Sequence, residues 1–337
     1  MKYYTIDTLE DIKSPVCLAM GVFDGLHIGH QAVIKEAVDA AINTDAQIGL
    51  LTFSPHPIKV LAPDKAPQPI VPDLTIIEPI LAELGVDFMV VVNFDTDFSQ
   101  LTYQEFIEQL HNACFDLRLI AVGQGWKFGY KRQGNPENLT ALGLELGFEV
   151  KTAQIVKDNN EHGQRVSSTR IRSALSQANL SLAESLLGRT YSYQGLVEHG
   201  EHLGAELQAR TANIKLHPNL LLPTGVYIVT VIIKPMKNSH QSLGYNKIQG
   251  VANLGYKPTL GKEFKHPRLE VHLLNWSGDL YGKTIEVFFH HYIRPEKKFS
   301  NLDELRKQIH QDIEDSHNYF NTTLEHLRSP LEGESNS

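Results

Sequence analysis

Two cysteines in 337 residues, Cys17 and Cys114, are too few for a disulfide framework. Neither lies at a spacing suited to zinc. Cys17 falls in an apolar run and reads as a small buried hydrophobe. A basic excess is also missing: Lys plus Arg number 31 against 39 for Asp plus Glu, a net charge of -8. Sequence-independent nucleic-acid binding needs a basic footprint, so no nucleic-acid partner is expected. A local basic site for a small anion stays open. No run approaches the ~20 apolar residues of a membrane span. The start, Met1-Lys2-Tyr3-Tyr4-Thr5-Ile6-Asp7, has no apolar signal core. The expectation is a cytoplasmic protein with no membrane partner. There is no internal repeat and no low-complexity tract. Hydrophobic residues at 42% and charged residues at 21% are ordinary globular usage, which argues against disorder or a fibrous chain. At about 150 residues per domain, the length implies roughly two domains.

The chain has two textures. Up to about residue 187, short apolar runs alternate with helical patterns. Val16 to Met20, Ile48 to Phe53, Phe88 to Val92 and Leu119 to Val122 read as four strands. Ile28 to Ile42, Ile76 to Leu84, Tyr103 to Ala113 and Ala141 to Leu146 read as helices. This alternation predicts a parallel sheet covered on both faces, with ligands beyond the carboxyl ends of the strands. From about Tyr191, strand-like segments follow one another without helices: Leu196 to Val197, Gly225 to Ile233, Ile248 to Leu254, Arg268 to Leu274 and Thr284 to Tyr292. That pattern predicts a small barrel or sandwich. A helix is expected from Leu302 to Tyr319, and the polar end, Ser329 to Ser337, as a frayed tail.

The strongest local signal is Gly21-Val22-Phe23-Asp24-Gly25-Leu26-His27-Ile28-Gly29-His30, between a strand and a helix. A helix start offers free N–H groups and a positive dipole end to a phosphate. Gly21 and Gly25 allow tight turns near a ligand. His27 and His30 are expected on one helix face, with Gly29 leaving room for a substrate. Two imidazoles there can donate hydrogen bonds to a phosphoryl group as it gains charge. The bland alternative, two histidines capping a surface turn, suits a lone histidine better than this ten-residue pattern. A zinc pair lacks a third ligand.

The segment resembles the H-x-G-H motif of nucleotidyltransferases and, more narrowly, the bacterial bifunctional riboflavin kinase/FMN adenylyltransferase (FAD synthetase) family. The partner signature is present at Val166-Ser167-Ser168-Thr169-Arg170-Ile171-Arg172. Its hydroxyls also suit a plain helix cap. Thr52-Phe53-Ser54-Pro55-His56-Pro57 matches a strand end usually read T-F-x-P-H-P. Val122-Gly123-Gln124-Gly125-Trp126-Lys127-Phe128-Gly129 matches V-G-x-[DN]-F-x-F-G, with Gly125 at the Asp/Asn position and Trp126 at the first Phe; Gly134-Asn135 is typical of the family. The resemblance implies that His27, His30 and Arg172 act on ATP. It implies that Gly21, Phe23, Asp24, Gly25, Ser167, Ser168 and Thr169 bind the nucleotide, and that His56, Trp126 and Phe128 bind the flavin.

The second half is similar to the riboflavin kinase domain. Gly188-Arg189-Thr190-Tyr191 and Gly195-Leu196-Val197 match its opening. Thr211-Ala212-Asn213 matches the T-A-N of a G-F-P-T-A-N loop. Further matches are Pro223 to Tyr227, Gly250 to Gly255, Lys257-Pro258-Thr259, Asp279 to Gly282 and Ile293 to Phe299. The resemblance implies that Thr211 and Asn213 hold Mg²⁺ with ATP, and that Glu270 is the catalytic base. An ordinary turn is the alternative for Thr211 and Asn213, and a solvent-facing strand position for Glu270. Gln208-Ala209-Arg210 replaces G-F-P. A Gly and a Pro fix an unusual backbone path, which Gln and Arg do not. Either the loop is mis-set, or Arg210 stands on the phosphates as a substitute.

The implied architecture is α/β plus β. A Rossmann-like nucleotidyltransferase domain with a parallel sheet spans 1–187, and a small β-barrel kinase domain with a terminal helix spans 188–322. A flexible tail spans 323–337. The implied activity phosphorylates riboflavin to FMN and then adenylylates FMN to FAD, with ATP, riboflavin and FMN as substrates and Mg²⁺ as cofactor. The alternatives are an adenylyltransferase with a decayed kinase half, and a non-catalytic flavin- or nucleotide-binding paralogue. The partners expected are these small molecules, with a homo-oligomer left open. The residues by themselves argue only for nucleotidyl transfer at a phosphate-binding helix end.

Overall fold

A computed structural model describes residues 1–42, 44–71, 74–158, 163–198, 211–216, 220–234, 247–256, 258–259, 262–263 and 267–328. The chain divides into two compact units, Met1–Ile171 with Ser185–Gly188, and Arg172–Glu184 with Arg189–Ser337.

The first unit is built on six parallel strands: β1 (Lys2–Tyr4), β2 (Pro15–Met20), β3 (Gln47–Ser54), β4 (Phe88–Asn93), β5 (Asp116–Gly123) and β6 (Glu149–Ala153), in the order β1-β4-β3-β2-β5-β6. Period-two alternation sorts the side chains to the two faces. Val16, Leu18 and Met20 join one buried layer with Leu51, Val90, Ile120 and Val122. Cys17 and Ala19 join the other with Leu50, Met89 and Ala121. The small side chains of Cys17, Ala19 and Ala121 let helix α1 (Ile28–Ala41), which brings Ala37 and Ala41, pack on β2 and β5. The four expected strands are all present. The edge strands β1 and β6 escaped because one is three residues long and the other is only half-buried, so neither carries an apolar run.

Local chemistry sets the other helices: α2 (Pro57–Leu61), α3 (Glu78–Glu83), α4 (Tyr103–Ala113), α5 (Pro136–Leu146), α6 (Ser168–Ser176) and α7 (Leu180–Leu187). The single helix expected over 76–84 is instead a 3-10 turn, Leu74–Ile76, followed by α3. Pro79 lacks an N–H and is tolerated only in a first turn, so it starts a new helix. Helix α4 opens on a capping box between Thr102 and Glu105. Helix α5 starts earlier than expected because Asn135 caps it, accepting from the Asn138 N–H at 2.8 Å, with Pro136 in the first turn. Both cysteines are free. Burial raises both thiol pKa values, that of Cys114 to about 12, so both stay protonated at neutral pH.

The second unit contains a closed barrel of β7 (Ser192–Glu198), β8 (Thr211–Lys215), β9 (Gly225–Ile233), β10 (Ile248–Gly255), β13 (Arg268–Leu273) and β14 (Thr284–Arg294), with a separate two-stranded ribbon of β11 (Pro258–Thr259) and β12 (Lys262–Glu263). The barrel order is β10-β13-β8-β7-β14-β9, every pairing is antiparallel, and β9 pairs with β10 to close it. Its interior holds Tyr227, Val229, Val231, Ala252, Leu269, Val271, Ile285 and Val287. Thr211 to Asn213, read from sequence as a loop with a turn as the alternative, is strand β8; its alternation is short and mixes polar with apolar residues. Helix α8 (Leu302–Arg328) runs past the expected end at Tyr319 and into the 323–337 segment.

Candidate functional site

In the first unit, chain order runs one way from β2 through β3 to β4 and the other way from β5 to β6. The switch point therefore lies between β2 and β5, where open α/β sheets form a crevice at the carboxyl ends of their strands. The loop after β2 ends at His27 and leads into α1 with His30 in its first turn, and the loop after β5 carries Gly125 and Trp126, so both loops leave from this point.

His27 immediately precedes the helix, on the same side as His30. It is the N-cap of α1, with Nδ1 accepting the His30 backbone N–H at 3.2 Å. An accepting Nδ1 carries no proton, which leaves Nε2 as the donor of the neutral ring. The His27 and His30 rings stack, with centroids 3.5 Å apart and planes at 18°. His27 is buried, and Phe23 meets His30 edge-on at 5.3 Å. A Cβ on Gly29 would stand 3.2 Å from the His27 ring, so its missing side chain makes space for that imidazole. Gly25 has φ +84°, a left-handed conformation that favours glycine, and its Cβ space is filled by Ile70. Asp24 fixes the loop, its carboxylate accepting from the Ile70 N–H at 2.8 Å.

The two sequence signatures touch. The Ser168 hydroxyl donates to the Asp24 carbonyl at 3.1 Å. Ser167 caps α6 by accepting the Arg170 N–H at 3.4 Å, the plain capping role foreseen for it. Arg172 lies one helical turn beyond Ser168 and belongs to the second compact unit. Arg170 pairs with the buried Asp158 and donates to the carbonyls of Gln164 and Arg165, which ties α6 to the strand-like return after β6.

That return brings in a side chain the sequence reading did not single out. The Arg165 guanidinium lies 3.0 Å from where a Gly125 Cβ would stand. The one signal for it was its place immediately before Val166-Ser167-Ser168. Trp126 stacks on Phe53 at 6.2 Å and 22°, and its buried Nε1 has no hydrogen-bond partner among the described residues. Phe128 is a buried member of the hydrophobic layer rather than an open face. His56 caps α2, accepting the Ile58 N–H on Nδ1 at 3.2 Å.

On the barrel, Thr211, Asn213, Glu270 and Asn253 alternate with the buried Ala212, Val271 and Ala252, so they share the outer wall. Register puts Asn213 opposite Glu270 and Thr211 opposite His272; on the other side of the same strand, Glu270 is paired with Asn253. Directly paired residues have Cβ atoms about 4.5–5.5 Å apart. The Asn213 Oδ1 is buried and has no hydrogen-bond partner among the described residues. Such an oxygen costs free energy unless something is bound there, which fits a ligand of Mg²⁺ with ATP. Gln208-Ala209-Arg210 and Lys257 lie outside the described residues.

The FAD synthetase family model matches residues 9–170, and the riboflavin kinase family model matches residues 187–320. A bifunctional riboflavin kinase/FMN adenylyltransferase from Escherichia coli strain K12 is 37% identical over 309 residues, 91% of this chain and 93% of that protein. The chain belongs to the bifunctional riboflavin kinase/FMN adenylyltransferase family. The Haemophilus influenzae member is 36% identical over 310 residues, 90% of this chain and 94% of that protein. A solved structure described as a macrolide-efflux protein from Streptococcus pneumoniae is 30% identical with a TM-score of 0.79, covering 94% of this chain and 99% of that one. Among the described residues, no helix is long and apolar enough to cross a membrane. The family's two halves thus correspond to the parallel-sheet unit and the barrel. Against the family's [DN] pattern, the polar side chain lost at Gly125 has a cationic neighbour, Arg165.

Proposed function

We propose that the barrel phosphorylates riboflavin to FMN and that the parallel-sheet unit transfers AMP from ATP to FMN, giving FAD and pyrophosphate. The reading assigns 1–187 to adenylyl transfer and 188–322 to the kinase, in a cytoplasmic protein whose partners are small molecules and not nucleic acid or membrane. The observation that carries it is the stacked histidine pair at the sheet's switch point, a few residues after Asp24, whose carbonyl accepts from Ser168 of the second nucleotide signature.

In adenylyl transfer, a phosphate oxygen of FMN attacks the α-phosphorus of ATP and the bond to pyrophosphate breaks. A phosphate monoester has its second pKa near ~6, so the nucleophile is already anionic and needs no base. The work is alignment and charge stabilisation. His27, through Nε2–H, and His30 donate to the phosphoryl oxygens. Gly21, Phe23, Asp24 and Gly25 hold the loop shape that presents them. Ser167, Ser168 and Thr169 receive the nucleotide, and Arg172 clamps its triphosphate. Trp126 offers the flavin a ring face, with His56 and Phe128 shaping the same end of the sheet.

In the kinase, the terminal hydroxyl of the ribityl chain attacks the γ-phosphorus and ADP leaves. A neutral alcohol gains from a carboxylate that takes its proton, and Glu270 is that base. Thr211 and Asn213 supply neutral oxygens, which suit Mg²⁺ when ATP brings the negative charge. Bound there, Mg²⁺ would neutralise charge on the β- and γ-phosphates.

The test is product chromatography after incubating the full chain with Mg·ATP and either riboflavin or FMN. FMN followed by FAD from riboflavin supports both halves. FAD from FMN with riboflavin untouched removes the kinase assignment, and no product from either flavin removes both.

A further inference from the structure

Gly255 is the last residue of β10 and shares the outward face with Asn253, two residues before it. It is nevertheless buried. What covers it is Glu296, from the segment after β14: a Cβ on Gly255 would overlap the Glu296 carboxylate. The same carboxylate accepts the backbone N–H of Tyr256. It therefore takes the side-chain position that β10 leaves empty. Asn253 is paired with Glu270, and Gly255 with Arg268, so Glu296 stands diagonally across from Glu270 on the barrel wall. Diagonal neighbours on adjacent strands are about 7–8 Å apart.

Two further observations support the placement. The segment is anchored two residues earlier, where Arg294 donates from Nε and Nη2 to both carboxylate oxygens of the buried Asp312 on α8, at 2.8 and 2.7 Å. Burial raises the Glu296 pKa, and the charge of Glu270 raises it further, while the Tyr256 N–H opposes. The residue as a whole is exposed, so it is open to a molecule arriving from solvent.

We propose that Glu296 is a substrate-binding residue of the kinase half, accepting hydrogen bonds from the secondary hydroxyls of the ribityl chain so that only the terminal hydroxyl reaches Glu270. The proposal rests on reading the barrel as a riboflavin kinase. An ionised carboxylate is acceptor-only, and a polyol brings neutral donors, so the two match without adding charge beside the base. The arrangement also answers a chemical need: the base must select one hydroxyl among several of similar acidity, and a second acceptor at a fixed offset sets the register of the chain.

The experiment uses the full chain with Glu296→Gln, measuring riboflavin phosphorylation, FMN adenylylation and binding of lumiflavin, which has the flavin ring but no ribityl chain. The riboflavin KM is expected to rise roughly tenfold, the size of one lost charge-assisted hydrogen bond. The ATP KM, the Mg²⁺ dependence, FMN adenylylation and lumiflavin affinity are expected to stay unchanged. Gly255→Ala, which pushes the carboxylate away, is expected to give the same signature. An unchanged riboflavin KM overturns the proposal. So do equal losses for riboflavin and lumiflavin, which would mean a general structural role, and a shift in Mg²⁺ dependence, which would mean a metal ligand. If the unaltered chain neither binds riboflavin nor makes FMN, the kinase reading fails and takes this proposal with it. If it makes FMN in a Glu270-dependent way while Glu296→Gln is silent, this proposal alone fails.

Discussion

In the parallel sheet the candidate reacting groups sit on a loop and a helix end, while in the barrel they stand on the strands. The first arrangement depends on backbone conformation. Gly25 at φ +84°, the Asp24 bond to Ile70 and the Nδ1 cap of His27 set where two imidazoles point. The second depends on register: a slip of one residue would turn Thr211, Asn213 and Glu270 into the barrel and put Ala212 and Val271 outside. A contiguous loop motif can thus be complete within ten residues, whereas a wall site is assembled from strands far apart in sequence. The chemistry differs in parallel, an anionic nucleophile needing only donors and a neutral alcohol needing a base.

Four changes probe this contrast. Glu270→Gln is expected to lower FMN formation about a hundred- to ten-thousandfold, the range for losing a general base, with FAD formation from FMN unchanged. His30→Ala is expected to lower FAD formation about a hundred- to a thousandfold, as for a lost transition-state donor, with FMN formation unchanged. Separate flavin assays with riboflavin and with FMN read both. Gly25→Ala forces a side chain into a left-handed conformation against Ile70, and is expected to destabilise the first unit by about 1–3 kcal/mol. Thermal unfolding would show this, and FAD formation would suffer more than FMN formation.

The smallest effect concerns the barrel at acidic pH. His290 bonds Thr230 at 2.8 Å, and burial lowers its pKa from 6.5, with Lys247 lowering it further and Glu184 opposing. Below that ordinary value the unfolded chain takes up the proton before the folded one does. The barrel's stability is therefore full at neutral pH and falls as pH drops through this range. His290→Gln is expected to flatten the dependence, as measured by kinase-half unfolding at neutral and mildly acidic pH.

Much of the fold was legible because apolar runs and helical periodicity are local: α4 was read at its observed bounds, and β9 likewise. The edge strand β6 and strand β8 were not, since neither carries an apolar run and both are specified by their neighbours. At the site, the histidine pair was legible as a motif, but its cap geometry was not. Spacing put the two rings on one side, where they stack, but did not show that the His27 ring accepts the His30 N–H. Arg165 over Gly125 and Glu296 over Gly255 stayed hidden for one reason. In each case a side chain distant in sequence fills the space a glycine lacks, and only the folded chain shows which one.

The central claim is that two separate sites act in sequence, and complementation tests it most directly. His30→Ala and Glu270→Gln proteins would be incubated with riboflavin and Mg·ATP, separately and mixed. The account predicts FMN alone from the first, no product from the second, and FAD from the mixture. FAD from either variant by itself, or none from the mixture while both proteins are folded, would contradict it.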